Sequence, residues 1–546
     1  MICTPANALW LTGCLREAGR FHRATRRVGH EQQRVLQQLI RANADTEFGR
    51  THQFSTIRSV RDYQDRVPVR TYDDFRPYID RVSDGSVNLL TRERVRLFEP
   101  TSGSASATKL IPYTASLQEQ FQRGIQAWIA DLFVHHPNLM RGQAYWSVSP
   151  QLTAKRLTLG GIPIGFDDDA EYVGGWRRRL VRAVMAAPRS LRTAPDMDTF
   201  LHMTLLCLIR SSSLRLISVW NPTFLSLLVE RVHSRADALL RDLRSDTRRY
   251  DVLCAALRVR TPGECHATLW PRLGLISCWA DANAAVPATE LATLFPQAKI
   301  QAKGLIATEG FISFPQVGRE GSILAVRSHF LEFARVDSHD RPSERSPLGA
   351  HELERGQRYE VILSNAGGLY RYRLGDLVQV VGHVNECPLI RFVGRHGYVS
   401  DWFGEKLSEA HVASVLHHAL ESARVSASFA MLACDPTLTR PAYVLYIDTR
   451  ESDEALDALG RSIEAELRCN FHYDYARLVG QLAPLRVFRA EGAAATYLKT
   501  AVDAGQRAGD VKPLALDRRD GWSQRFRGQF VTLTPRQRRS TTPSDP

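Results

Sequence analysis

The chain contains no apolar run approaching the roughly 20 residues of a membrane-spanning helix, which excludes an integral helical membrane protein and sets the expectation of no membrane partner. It has no Cys-x-x-Cys pair. Its nine cysteines, an odd number scattered from Cys3 to Cys469, frame neither a disulfide scaffold nor a zinc site, and a reduced, cytoplasmic setting is expected. Three familiar catalytic signatures are missing: Gly-x-x-x-x-Gly-Lys-Ser/Thr, Gly-x-Ser-x-Gly and His-Glu-x-x-His. No internal repeat is visible. Leu11-Thr12-Gly13-Cys14 has the order of a lipoprotein cleavage box, but no basic stretch precedes it and Pro5 and Asn7 interrupt the run, so no signal peptide is expected.

The formal net charge is +13, yet the basic clusters lack the interleaved aromatic platforms of a nucleic-acid surface. The excess is nearly all arginine, dispersed through Arg177-Arg178-Arg179, Arg248-Arg249, Arg518-Arg519 and Arg536 to Arg539, and no nucleic-acid partner is expected. At 546 residues and 44% hydrophobic content the chain has room for at least two cores.

Helical spacing of apolar residues from about Leu9 to Phe48 predicts scaffold helices. Further helices are expected at Ser116 to His135, Trp176 to Ala187, Met197 to Arg210 and Pro222 to Leu243, separated by strands at Ala144 to Val148, Leu214 to Val219 and Leu273 to Trp279. This alternation reads as α/β. A second composition zone follows Gly394-Arg395-His396-Gly397, with helix, two strands, helix and strand in the order of a small α+β unit. Pro535 to Pro546 has the composition of a disordered tail.

Three segments carry chemistry. Pro100-Thr101-Ser102-Gly103-Ser104-Ala105-Ser106-Ala107-Thr108-Lys109 lies between a strand-like run and a helix expected near Thr114. Small residues let backbone amides approach phosphate oxygens, hydroxyls add donors, and Lys109 adds positive charge. In Gly304-Leu305-Ile306-Ala307-Thr308-Glu309-Gly310 an apolar run ends in a hydroxyl and a carboxylate able to hold Mg²⁺ against phosphate. Gly367-Gly368-Leu369-Tyr370-Arg371-Tyr372-Arg373-Leu374-Gly375-Asp376 is read as a glycine turn between strands Tyr359 to Leu363 and Leu377 to Val381, presenting Asp376 to a ribose diol.

Together with Lys109-Leu110-Ile111-Pro112-Tyr113-Thr114, Trp270-Pro271-Arg272-Leu273 and Phe330-Leu331-Glu332-Phe333, these segments resemble the auxin-responsive acyl acid-amido synthetases, a branch of the adenylate-forming superfamily. The resemblance implies a large N-terminal domain, 1–395, binding ATP and the acyl acid, a mobile C-terminal cap, 396–534, and a tail, 535–546. It implies an enzyme that uses ATP and Mg²⁺ to activate a small carboxylic acid as its acyl-adenylate and passes the acyl group to an amine or amino acid. A monomer is expected.

By position, Ser102, Gly103, Ser104 and Lys109 would line the phosphates, Thr308 and Glu309 would lie beside phosphates and metal, and Asp376 would hold the ribose. Phe392 matches an aromatic near the nucleoside, Lys406 a lysine after the hinge, and Lys499 the lysine that the cap brings to the phosphates. Catalysis is assigned to Lys499, Lys109 and Glu309, and metal binding to Glu309. Ser106 stands where related loops carry glycine, and Tyr497 and Ala501 replace the Gln and Pro that usually surround the cap lysine. Two other outcomes stay open: transfer to CoA as a thioester, and a relative that binds nucleotide or acid without turnover.

Overall fold

A computed structural model describes residues 3–101, 109–147, 156–165, 177–336, 343, 346–395, 399–400, 402–403, 405–478, 480–504, 506, 511–512 and 514–531. The chain divides into two units, one of Met1–Tyr398 with Leu498–Pro513, the other of Val399–Tyr497 with Leu514–Pro546. Among the described residues no helix is long and apolar enough to cross a membrane, and all nine cysteines are free thiols.

The larger unit holds two cores. One forms on a parallel four-stranded sheet in the order Gln143–Trp146, Leu214–Ser218, Leu275–Cys278, Lys299–Ala302, whose last two strands follow helices Pro262–Leu269 and Ala285–Leu294. Leu275–Cys278 is buried along its whole length, as a strand covered on both faces must be. The helix expected to run unbroken from Pro222 to Leu243 is two, Pro222–Ser234 and Ala236–Asp242, with the break at Arg235. Arg235 leaves helical geometry while its guanidinium binds Asp198 at 2.7 Å.

The second core lies on an antiparallel seven-stranded sheet, in the order Ser313–Pro315, Ser322–Leu324, Cys387–Arg395, Tyr372–Val384, Arg358–Ser364, Phe330–Arg335, Leu348–Gly349. The N-terminal helices Cys3–Ala24 and Val28–Ala42 contribute Trp10, Phe21, Val35, Leu36 and Ile40 to it. Its longest hairpin, Tyr372–Val384 with Cys387–Arg395, turns at Asn385 and Glu386. That turn is fastened between the two helices: the Glu386 N–H donates to the Thr25 carbonyl at 2.9 Å, and the Asn385 amide donates to the Thr25 hydroxyl at 2.8 Å.

The smaller unit is a five-stranded mixed sheet, Leu516–Asp517, Phe429–Asp435, Ala442–Asp448, Arg486–Glu491, Arg527–Phe530, with helices Glu409–Ala423 and Asp453–Leu467. Helix Ala493–Asp503 runs across the division between the units.

Candidate active site

The edges of the phosphate-type loop are held by strands Leu97–Pro100 and Leu110–Tyr113, which pair antiparallel up to Pro100 and Leu110. The Thr101 N–H then donates to the Lys109 carbonyl at 2.9 Å, closing the loop's neck. Ser102, Gly103, Ser104 and Ser106 lie outside the described residues. At the neck the buried Thr101 hydroxyl has no hydrogen-bond partner among the described residues. Lys109 is exposed, its ammonium 5.5 Å from the centre of the Tyr72 ring, and the Tyr72 hydroxyl accepts the Leu110 N–H at 2.8 Å.

The second segment folds into a minimal hairpin. Ile306–Ala307 pairs with Gly310–Phe311, leaving Thr308 and Glu309 as the two turn residues. Both turn carbonyls are anchored, that of Thr308 by the Tyr113 hydroxyl at 2.5 Å and that of Glu309 by the Asn365 amide at 2.7 Å. The Glu309 carboxylate is buried and accepts the Tyr372 hydroxyl at 3.2 Å. Burial, then the Glu309 charge, push the Tyr372 phenol well above its ordinary range, so it remains a donor. Behind the hairpin the His329 ring accepts the Phe311 N–H at 2.9 Å; burial lowers its pKa to about 3, which keeps it neutral and able to accept.

The glycine turn of the third segment sits earlier than its sequence indicates. Asn365 organises it, its side-chain oxygen accepting the N–H groups of Gly367 and Leu369 at 2.9 and 3.2 Å. Gly367 is packed so closely that a Cβ there would stand 2.4 Å from the Pro112 carbonyl oxygen, and the Thr114 hydroxyl, which also caps helix Ala115–His135, donates to the Ala366 carbonyl at 2.9 Å. Tyr370 and Arg371 are buried scaffold: the Tyr370 hydroxyl donates to the Leu90 carbonyl at 2.7 Å, and Arg371 pairs through Nε with Glu332 at 3.0 Å while its Nη1 donates to the carbonyls of Gln64 and Val67.

Asp376 is therefore not on a turn but within strand Tyr372–Val384. The pairing with Arg358–Ser364 passes from Ile362 opposite Arg373 to Glu360 opposite Leu377, so Leu374, Gly375 and Asp376 form a bulge facing Val361 alone. Gly375 supplies the left-handed φ of 81° that this bulge uses. Asp376 is fully buried; Arg395, opposite it on the hairpin, donates to Oδ1 at 2.7 Å, and among the described residues Oδ2 has no hydrogen-bond partner. The Asp376 charge, reinforced by Glu309, holds the Arg395 guanidinium firmly protonated. A buried carboxylate oxygen without a donor is costly and is the feature a pair of ligand hydroxyls would satisfy.

Lys109, Thr308, Glu309 and Asp376 thus gather around Tyr72, Tyr372 and Arg395. Phe392 lies on the same hairpin opposite Val378, half-buried against the core, and its N–H donates to Asp281 at 3.4 Å. Burial raises the Asp281 carboxyl to about 6. Lys406 is exposed at φ 45° in the smaller unit, and Lys499 is exposed on helix Ala493–Asp503.

Arg395, Tyr372, Tyr72 and Asn365 were not assigned to the site from the sequence. Arg395 had a signal: a two-residue turn at Asn385 and Glu386 sets it opposite Asp376. Tyr72 had none, because it comes from helix Tyr72–Ser83, far from all three motifs.

Glu360, on the strand beside the bulge, is also fully buried, with both carboxyl oxygens lacking hydrogen bonds among the described residues and Arg373 at 3.4 Å. Burial raises its pKa to about 7, Asp376 adds to the rise, and Arg373 opposes it. The folded state thus holds this proton more tightly than the unfolded chain. The stability it contributes is fully present below the ordinary value of 4.5 and is lost as pH rises through about 7. Denaturant titrations across this window are expected to show a decline of about 3 kcal/mol that Glu360→Gln abolishes; the same decline in the variant would assign it to another group.

Residues 17–300 match the GH3 family N-terminal domain and residues 322–395 match the GH3 family central domain. The chain belongs to the GH3 family. This GH3 chain is 23% identical over 436 residues to an indole-3-acetic acid-amido synthetase, GH3.3, of Arabidopsis thaliana, a match spanning 72% of each chain. It is 24% identical over 422 residues to a jasmonoyl-L-amino acid synthetase, JAR6, of Nicotiana attenuata, spanning 69% of this chain and 70% of the relative. Its fold matches the solved structure of AtGH3.15 acyl acid amido synthetase in complex with 2,4-DB, with a TM-score of 0.77 at 18% identity over 93% of this chain and 94% of that one.

Proposed function

We propose that this GH3 chain is an ATP-dependent acyl acid-amido synthetase, a ligase joining a small carboxylic acid to an amine or amino acid. The observation that carries the reading is the meeting of the Thr308–Glu309 hairpin with the Asp376 bulge around Tyr372 and Arg395. The donor sets fit the reactants. The Asp376 oxygen left without a partner among the described residues suits the hydroxyls of a ribose, and Glu309, one of whose oxygens is engaged by Tyr372, suits a hard divalent cation.

In this reading Ser102, Gly103 and Ser104 bind phosphate oxygens with Lys109, Thr308 lies beside them, and Phe392 packs near the nucleoside. Glu309 is the residue that would hold Mg²⁺, and the bound ion offsets charge on the phosphates. The acid's carboxylate oxygen attacks the α-phosphorus as the bond to the β-phosphate breaks, releasing pyrophosphate. The amine nitrogen then attacks the acyl carbon, AMP departs with the bonding pair, and the nitrogen loses its proton. Lys109 and Lys499 are assigned to the negative charge that develops in the first step. Residues 1–395 are proposed as the ATP- and acid-binding domain and 396–534 as a cap, with Lys406 just after the hinge. The free thiols support a reducing, cytoplasmic setting, and the enzyme is proposed to act as a monomer.

Mass spectrometry of reactions containing ATP, a pool of acids, CoA and mixed amino acids tests the proposal. Amide is expected as the main product, dependent on the amino acids and not replaced by CoA. Thioester as the main product would replace the amide assignment, and no adenylate with any acid, even in Ser106→Gly, would indicate binding without turnover.

A further inference from the structure

A second concave site lies at the junction of helices Cys3–Ala24 and Val28–Ala42, a cleft of about 390 Å³. Arg20, Arg23, Arg27, His30, Arg34 and Arg327 line it, with Glu31 the acidic residue among them. Nothing in the proposed ligase chemistry uses it.

The local carboxylates do not neutralise this cluster. Glu17 and Glu31 both pair with Arg327; Glu31 also pairs with Arg34, and Glu17 reaches Arg20 at 3.9 Å. Both acids are therefore spent on the floor and one wall of the cleft. Arg23 and Arg27 are exposed at its mouth, and among the described residues neither makes a side-chain hydrogen bond or ion pair. Arg123, half-buried behind, donates to the Arg327 carbonyl at 3.1 Å and adds another positive charge against the same floor.

Arg27 also stands at a helix end that favours anions. It is the N-cap of helix Val28–Ala42, where the helix dipole is positive, and it makes no capping hydrogen bond. The Val28 N–H is taken by Glu386 at 3.0 Å. Two carboxylates, Glu31 in the first turn and Glu386, already meet that positive end, while Arg23 and Arg27 keep no ion partner among the described residues, an arrangement that a bound anion would stabilise.

The lining indicates what kind of anion. It has no Phe, Tyr or Trp on which a base or an apolar acyl group would stack. Guanidinium forks spread over two helices and the Val326–Ser328 segment suit several oxygens presented at once, as on linked or clustered phosphates. We propose that this cleft binds a compact multivalent phosphate anion, either free or as a phosphorylated lipid headgroup, at a site distinct from the one holding Asp376 and Glu309.

Calorimetric titration with inorganic tripolyphosphate tests this, using wild-type protein and Lys109→Ala so that the candidate nucleotide site does not account for the signal. Binding is expected in both, weakened at least tenfold by the double substitution Arg23→Ala with Arg27→Ala and unaffected by Arg26→Ala, a neighbouring exposed arginine outside the cleft. Thermal melts without ligand should match between the variants and wild type. Flotation with phosphatidylcholine vesicles, with and without phosphatidylinositol 4,5-bisphosphate, separates the sources. Vesicle binding that needs the phosphoinositide and disappears in the double variant assigns a headgroup, whereas tripolyphosphate binding without vesicle binding assigns a free anion. Binding of neither probe, or equal binding by wild type and double variant, overturns the proposal whether or not the protein proves to be a ligase.

Discussion

Acid-dependent exchange of pyrophosphate into ATP is expected to fall by about 100- to 1,000-fold in Glu309→Ala and in Lys109→Ala, the scale on which removing one group matched to developing charge acts. The two residues reach the site by different routes. Glu309 is delivered by a two-residue hairpin whose carbonyls are pinned by Tyr113 and Asn365, and Lys109 immediately precedes strand Leu110–Tyr113 with its ammonium beside the Tyr72 ring. Their losses should therefore agree in exchange while differing in metal dependence, with Glu309→Ala shifting the Mg²⁺ requirement and Lys109→Ala leaving it in place. Glu309→Gln separates chemistry from folding, because an amide oxygen still accepts the Tyr372 hydroxyl but carries no charge. Exchange that survives both alanine substitutions in folded protein would remove these residues from the phosphate site.

ATP affinity is expected to fall about 10- to 100-fold in Asp376→Ala, equivalent to the 1.5 to 3 kcal/mol of hydrogen bonds to a charged group. Asp376 is buried and paired with Arg395, so alanine also leaves a buried guanidinium without its partner. Asp376→Asn retains an acceptor for Arg395 and should lie between alanine and wild type in affinity while melting closer to wild type. Calorimetry showing unchanged ATP affinity in either folded variant would exclude a ribose contact at this residue.

The alternation of helices and strands, the helix at Met197–Arg210 and the strand at Ala442–Asp448 were readable because apolar periodicity and cap residues agree there. The three motif segments were readable because each concentrates small, hydroxyl or acidic residues at strand ends. The placement of Asp376 was not. Glycine marks a turn and a bulge alike, and only the pairing of Arg358–Ser364 with Tyr372–Val384 shows that Gly375 serves the bulge. The roles of Tyr370 and Arg371 were hidden in the same way: a motif that looks chemical is half scaffold, with partners at Leu90, Gln64, Val67 and Glu332 that no local pattern announces. Tyr72 and Asn365 enter through tertiary contacts alone.

The long hairpin bears on which length changes this protein tolerates. Asp376 and Arg395 face each other only because the pairing irregularities between them cancel, Leu377 lying opposite Gly394 and Gly382 opposite Leu389 on the same register while Val378 to Val380 are offset by one. An extra residue in a single arm would turn alternate side chains through the sheet and exchange Arg395 for a neighbour, whereas one residue added to each arm preserves the match. Insertions at the Asn385–Glu386 tip keep the pairing but sacrifice its fastening to Thr25. Engineered loops and affinity tags therefore belong elsewhere, and chain-length differences in this hairpin are expected to occur in compensating pairs.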